Sequence, residues 1–278
     1  MVQDRPDAAS LDREGVFGAS VERGFSAGIA LLAAAEGAVS PMARVFLDCP
    51  DWPAVAEVGA RLQKARAALG WPPLPVSFVA APKPGRRRGQ PVAALESLYD
   101  GRITLEQVVP TRPRCWHDFL NALVWATFPR SKVVLHARQL AMLRERWPAP
   151  PHFLPNGRTR EQDAVALVDE GGVLLVCAPE HVGQALAALG AKDDPPLAAL
   201  MADGVVAPLL FGHALYEHQV AHPGRAVRGY PVLMELPSSE PSGRLTELVD
   251  ERLAAWLGER QRFSEPHGLR GVLIGAAR

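Results

Sequence analysis

The chain has 278 residues, 48% hydrophobic and 22% charged, which is long enough to bury a large core and excludes a disordered polyelectrolyte or a coiled coil. Lysine plus arginine total 30, as do aspartate plus glutamate, so no net field steers the chain toward nucleic acid, an anionic membrane or an acidic partner. Cys49, Cys115 and Cys177 lie far apart without a C-x-x-C pair, which argues against a disulfide framework or thiolate zinc site and points to a reducing, cytoplasmic setting.

Residues 1–15 read as a disordered leader whose alternating charges do not suit a secretory signal, and the apolar stretch from Gly28 to Ala35 is too short to span a bilayer. Residues 16–92 read as a helical N-terminal region ending in a Pro/Arg-rich loop. Within it, Val21 to Ala35 suits a helix. Val55, Val58, Leu62, Ala65 and Leu69 recur at three- and four-residue spacing before Gly70, which predicts an amphipathic helix. A short strand is expected at Val76 to Ala80. The run Arg86 to Arg88 sits in a proline-rich loop and reads as a solvated surface rather than a nucleic-acid contact.

Residues 93–278 read as the core domain. A short helix over Ala93 to Tyr99 is followed by Ile103 to Val109, which suits helix or strand. Trp116 to Phe128 and a second segment to about Arg146, capped by Ser131, predict a helical pair. Ala164 to Val168 and Val173 to Val176 flank Asp169-Glu170-Gly171-Gly172 and read as a β-hairpin. Helices at Glu180 to Leu189, Phe211 to Val220 and Leu245 to Leu257, with strands at Val205 to Leu210 and Tyr230 to Leu236, complete the pattern. The expected fold is α+β: a small, mostly antiparallel sheet surrounded by helices.

Internal repeats, a phosphate-binding glycine loop, G-x-S-x-G and H-E-x-x-H are all missing from the sequence. Chemistry-bearing residues concentrate in two places. On the first helix of the pair His117, Asp118 and Asn121 share one stripe, where a solvent face would carry lysine or glutamate. Either Asp118 caps the helix and His117 is a hydrogen-bonded core histidine, or the stripe faces a cleft and His117 serves as base or metal ligand. In Phe211-Gly212-His213-Ala214-Leu215-Tyr216-Glu217, His213 and Glu217 fall one turn apart after a strand. There they form either an ordinary helix pair or a site for a metal or proton. Arg158 and Arg160, two apart, suggest a fork for an anion if the chain is extended, and Asp163 lies beside them.

Three strings, W-H-D-F-L-N-A-L-V-W-x-x-F-P-R-S-K, R-x-R-x-x-D-A-x-x-L-x-D-E-G-G and F-G-H-A-L-Y-E, occur in order between Tyr99 and Glu235. Together they resemble a bacterial family, domain of unknown function 3025. The resemblance implies a shared domain, with His117, Asp118, Asn121, Pro129, Lys132, Arg160, Asp163, Asp169, Glu170, Gly212, His213 and Glu217 as its signature, and it implies no reaction.

The leading functional expectation is a hydrolase-like enzyme with His117, Asp118, His213 and Glu217 as catalytic residues. His117, His213 and Glu217 would ligate a divalent metal, zinc, manganese or iron, and Asn121, Arg112, Lys132, Arg160 and Asp163 would bind a small anionic substrate. A non-catalytic module binding a small anion or peptide, and a scaffold in which both clusters are buried polar networks, are the alternatives.

Overall fold

The computed structural model describes residues 23–35, 37–81, 94–147, 157–191, 193–237, 244–260 and 271–275. The expected leader at 1–15 and the Arg86 to Arg88 loop lie outside them.

Three helices open the described chain: α1 (Phe25–Ala34), the single turn α2 (Ser40–Arg44) and α3 (Val55–Ala68). On α3 the predicted face is the buried one over Val55, Val58, Leu62 and Ala65, while Leu69, just past the helix end, is exposed. Strand β1 (Ser77–Ala80) follows, then α4 (Tyr99–Glu106). Gln107, at φ 57°, ends α4 in the left-handed region and turns the chain into β2 (Val108–Thr111). The segment from Ile103 to Val109 is therefore helix first and strand second. β2 lies parallel to β1, with Ser77 opposite Val108.

The helical pair is α5 (Trp116–Thr127) and α6 (Pro129–Glu145). Proline at 129 disfavours helical geometry in the residue before it, and Phe128 sits at φ −126°, ψ 57° between the two helices. Ser131 does not cap α6 through its own side chain, as the sequence suggested; it lies inside the first turn. The cap arrives from another helix, α11 (Leu245–Gly258), whose Asp250 carboxylate accepts from Arg130 N (3.0 Å), Ser131 N (2.8 Å) and Ser131 Oγ (2.7 Å). A buried carboxylate there satisfies free N–H groups and meets the positive end of the helix.

The remaining elements are α7 (Arg160–Gly171), β3 (Gly172–Cys177), α8 (Val182–Gly190), α9 (Pro195–Ala202), β4 (Val206–Leu210), α10 (His213–Ala221), β5 (Val227–Glu235) and, near the C-terminus, β6 (Val272–Ile274). The expected hairpin is not formed. Its first strand is α7, started by a capping box in which Thr159 Oγ1 accepts from Gln162 N (3.1 Å) and Gln162 Oε1 accepts from Thr159 N (2.8 Å). Ala164, Val165 and Val168 then fall on one buried helical face. Asp169 and Glu170 belong to the last turn of α7, and Gly172 passes directly into β3.

The larger sheet has the order β4-β3-β5-β6. It is mixed rather than mostly antiparallel in character. Its longest ladder, β3 with β5, is parallel over Gly172–Cys177, with antiparallel β4 and β6 at the edges. β3 is buried along its whole length, so its residues read as an unbroken apolar run without alternation. Leu174 and Val176 face the main core, which also takes in Ile29, Phe46, Leu62, Leu123, Val168 and Leu253. Val173 and Leu175 face a smaller cluster with Ala185, Leu189 and Val206. The fold is α+β. No helix among the described residues is long and apolar enough to cross a membrane.

Replacing Asp250 strands the buried Ser131 N–H and the half-buried Arg130 N–H at once, while the Ser131 hydroxyl keeps the main-chain carbonyl of residue 250 as acceptor (2.9 Å). An Asp250→Ala variant is expected to lose about 3 kcal/mol of unfolding free energy in urea titration. A loss under about 0.5 kcal/mol would show that water replaces the carboxylate at no cost.

Candidate functional site

Three chain segments meet at one point. α5 carries His117 in its first turn, α7 ends in Asp169 and Glu170, and α10 begins with His213. What allows the last two to touch is Gly212. A methyl group added there would lie 2.5 Å from Glu170 O and from Gly171 N. Gly212 has φ −61° and ψ 119°, an ordinary extended conformation, so the need for glycine is steric rather than conformational. Gly172 O accepts from both Phe211 N (3.0 Å) and Gly212 N (2.9 Å), tying the β4–α10 junction to the start of β3.

The two imidazoles face each other. His213 Nε2 is 3.0 Å from His117 Nε2 and 3.2 Å from Glu170 Oε2. Glu170 Oε1 is 3.9 Å from His117 Nε2. Ligating atoms of His117, Glu170 and His213 all fall within 4.8 Å of one another. The other ring nitrogens are already engaged, His213 Nδ1 with the backbone carbonyl of Asp169 (2.9 Å) and His117 Nδ1 with Glu217 Oε2 (3.1 Å). A carbonyl only accepts, so His213 carries its proton on Nδ1 and turns a lone pair toward His117. The Glu217 carboxylate fixes His117 Nδ1 as a donor in the same way.

The charges follow from this arrangement. Burial opposes the imidazolium of His117, but the Glu217 hydrogen bond and the nearby Glu170 carboxylate outweigh it and raise the pKa. Burial, helped by Lys132 and His117, pushes His213 down to about 3. Burial and the neighbouring Asp169 carboxylate push Glu170 up to about 7. With one proton on the pair, His117 Nε2 donates to His213; with none, two lone pairs and a carboxylate confront one another. A cation relieves that second arrangement. His117 and Glu170 side chains are 32% and 36% exposed, so solvent reaches the cluster, while His213 is buried.

Beneath the cluster Lys132, wholly buried on α6, is ion-paired with Asp169 and lies 5.6 Å from the Trp125 ring centroid. Burial works against the Asp169 carboxylate, yet Lys132, His213 and His136 hold it far below the usual range. Asp169 thus anchors its side chain on Lys132 and orients His213 through its main chain.

Glu217 lies behind His117 and orients it, outside the ligating group. Asp118 is turned onto Arg112 as a bidentate pair, Oδ1 to Nη2 at 2.6 Å and Oδ2 to Nε at 2.9 Å, and also accepts from Arg112 N (2.6 Å). It neither caps α5 nor joins the histidines. Asn121, buried one turn beyond His117, donates through Nδ2 to Tyr99 Oη (3.0 Å). Arg160 and Asp163 lie in the first turn of α7, about 15 and 10 Å along the helix axis from Glu170, and stay apart from the cluster. Glu170, which the sequence places in a hairpin turn and in the family signature, and Tyr99 are not among the predicted site residues. The signal for Glu170 was the T-x-x-Q capping box at Thr159, which makes 160–171 a helix and sends Glu170 to its far end. An apolar groove of about 350 Å³ lined by Arg66, Trp71, Pro72, Pro129 and Val133 lies at the opposite end of α5 and contains no such cluster.

Fold and site together define an α+β protein with a two-histidine, one-carboxylate cluster at the meeting of three helix ends. A family model described as Protein of unknown function (DUF3025) matches residues 89–274, more than half of the chain; the chain belongs to that family. All three helix ends lie within the matched span. No curated protein and no solved structure matches the chain.

Gly212→Ala is expected to push His213 away from Glu170 and to destabilise the fold by about 1 to 3 kcal/mol. Thermal unfolding and the histidine ring signals in NMR would check it. Unchanged His117 and His213 chemical shifts would show that the close approach is not what sets the cluster.

Proposed function

We propose that this protein is a metal-dependent enzyme of hydrolytic type, with His117, His213 and Glu170 holding one divalent ion. The observation that carries the reading is the pair of Nε2 atoms at 3.0 Å beside a carboxylate, each ring having its Nδ1 proton committed elsewhere. Glu217 and the Asp169 carbonyl are the outer partners that such ligands take, one carboxylate and one main-chain oxygen. Three protein ligands leave further coordination positions open, as catalytic sites do, and the exposed edges of His117 and Glu170 lead to them.

A divalent ion bound there would act as a Lewis acid on a water or on a substrate oxygen. Of the residues themselves, burial against the Asp169 carbonyl holds His213 neutral and excludes solvent behind it, while Glu217 orients His117 through Nδ1 and favours its protonated form, so that His117 would give up its Nε2 proton to take an ion. Zinc, manganese and iron all accept this ligand set, and hydrolysis needs no redox change of the ion. The binding-module and scaffold alternatives would use the same residues as a polar network without metal.

Elemental analysis of the purified protein, after incubation with zinc, manganese or ferrous ion and desalting, tests the proposal. Close to one ion per chain is expected, and none in a His117→Ala, His213→Ala double variant. Glu170→Gln should lose the ion as well. Glu217→Gln should retain it with about 10- to 100-fold weaker affinity, because it removes an outer partner and not a ligand. Metal-free wild type after reconstitution would sink the reading.

Acid should release the ion, since protons compete for the same lone pairs. Bound metal measured between pH 8 and pH 5 should fall steadily, and retention at pH 5 would argue for different ligands.

A further inference from the structure

Resting on the metal-site reading above, the charges around the cluster decide which group of a substrate the site would face. Among the described residues two cations adjoin the cluster, and neither is at liberty. Lys132 is wholly buried and paired with Asp169, and Arg112 donates through its guanidinium to both oxygens of Asp118 and through its main-chain N–H to Oδ2 as well. Their two charges are offset by those two carboxylates, which leaves Glu170 and Glu217 to be balanced by a divalent ion. A dianionic phosphate would enter a region with no surplus positive charge from these groups, whereas an uncharged substrate would need only a hydrogen-bond donor.

A donor is present. Tyr99 stands at the start of α4 with part of its surface open to solvent, 41% of it exposed. Its hydroxyl accepts from Asn121 Nδ2 at 3.0 Å. Asn121 is in turn buried and one helical turn from His117 on the same stripe of α5. Because the phenol oxygen accepts that bond, its own proton points elsewhere, and no acceptor for it is found among the described residues. Enclosure of the hydroxyl end, while the rest of the residue stays partly open to solvent, together with the Asp169 and Asp118 carboxylates, raises the phenol pKa well above its ordinary value, which keeps it a donor. The T-shaped contact of Tyr99 with His136, centroids 5.7 Å apart, and the His136 to Asp100 hydrogen bond (2.9 Å) hold the ring in place.

We propose that the Tyr99 hydroxyl meets the carbonyl oxygen of the substrate beside the metal, so that the site takes an uncharged ester or amide rather than a phosphate. Hydrolysis then joins the oxygen of one water to the carbonyl carbon and breaks the bond from that carbon to the alcohol oxygen or amine nitrogen. One water proton goes to the leaving atom and the other stays with the acid. Tyr99 donates its hydrogen bond to the carbonyl oxygen as negative charge gathers there.

The test is calorimetric titration of acetohydroxamic acid, a carbonyl probe that is uncharged in solution and gives up one proton to buffer when it chelates zinc as acetohydroxamate, and of inorganic phosphate into zinc-loaded wild type and zinc-loaded Tyr99→Phe. Zinc content is read in the same samples. Equal zinc in both proteins is expected, with acetohydroxamate binding roughly tenfold weaker in Tyr99→Phe, the loss of one hydrogen bond. Phosphate should bind both more weakly than acetohydroxamate binds wild type. Equal acetohydroxamate affinity in the two proteins, no acetohydroxamate binding to zinc-loaded wild type, or phosphate as the tighter ligand overturns the proposal while leaving the metal site standing. Wild type that takes up no zinc overturns the metal site, and this proposal with it.

Discussion

The contact between Gly212 and the backbone of Glu170 and Gly171 governs the geometry of everything around the cluster. Any side chain at 212 would overlap main-chain atoms at 2.5 Å, and main chain at a helix–strand junction cannot step aside as a flexible side chain can. The same junction is crowded from the other side, where a Cβ on Gly229 of β5 would lie 2.8 Å from Gly171 O. Three strands therefore close on one short stretch of backbone. The ends of α7 and α10 are carried there with them, and with those ends come Glu170 and His213.

From that packing the electrostatics follow. His213 is buried against a backbone carbonyl and kept neutral. His117 is drawn toward the charged form by Glu217 and Glu170, and a buried lysine neutralises Asp169 just below. Each polar group at the cluster has a partner on one side, and the unsatisfied valence is concentrated at the two facing Nε2 atoms. Leaving such groups unmatched in a partly desolvated place is costly. A shared proton can relieve it at low pH and a cation can relieve it at higher pH, so the same residues that define the site also make proton and metal competitors for it.

The N-terminal helices α1 to α3 lie wholly before the span that the family model matches, yet they hold α5 in position. Phe25, Phe46, Trp52, Trp116 and Phe119 form a cluster of tilted, stacked and edge-on rings with centroids 4.8 to 6.0 Å apart where they meet. The Trp116 ring occupies the space that a Cβ on Gly28 would need, and its Nε1 donates to Arg23 O at 3.1 Å. Trp116 immediately precedes His117. The aromatic packing on one face of α5 thus fixes the rotation of the helix that presents His117 on the other.

Much of this molecule was legible in its sequence. Apolar spacing located α3, α5, α6 and α11, Pro129 divided the helical pair, and the lack of ordinary surface charge on α5 marked His117 and Asn121 as residues with partners. His213 was legible for a related reason, since a strand, a glycine and a polar helix start make a common site junction. The role of 164–170 was not legible from apolar runs, because a short buried helix and a half-buried strand present similar residues over five positions. The capping box at Thr159, a local hydrogen-bonding device, distinguishes them. Local periodicity determined the helices that carry the two histidines. Only the tertiary structure decided that Glu170 rather than Glu217 faces both Nε2 atoms, since that choice depends on how closely the backbones of Glu170 and Gly212, 42 residues apart in sequence, can approach, and the approach depends on a missing side chain at Gly212.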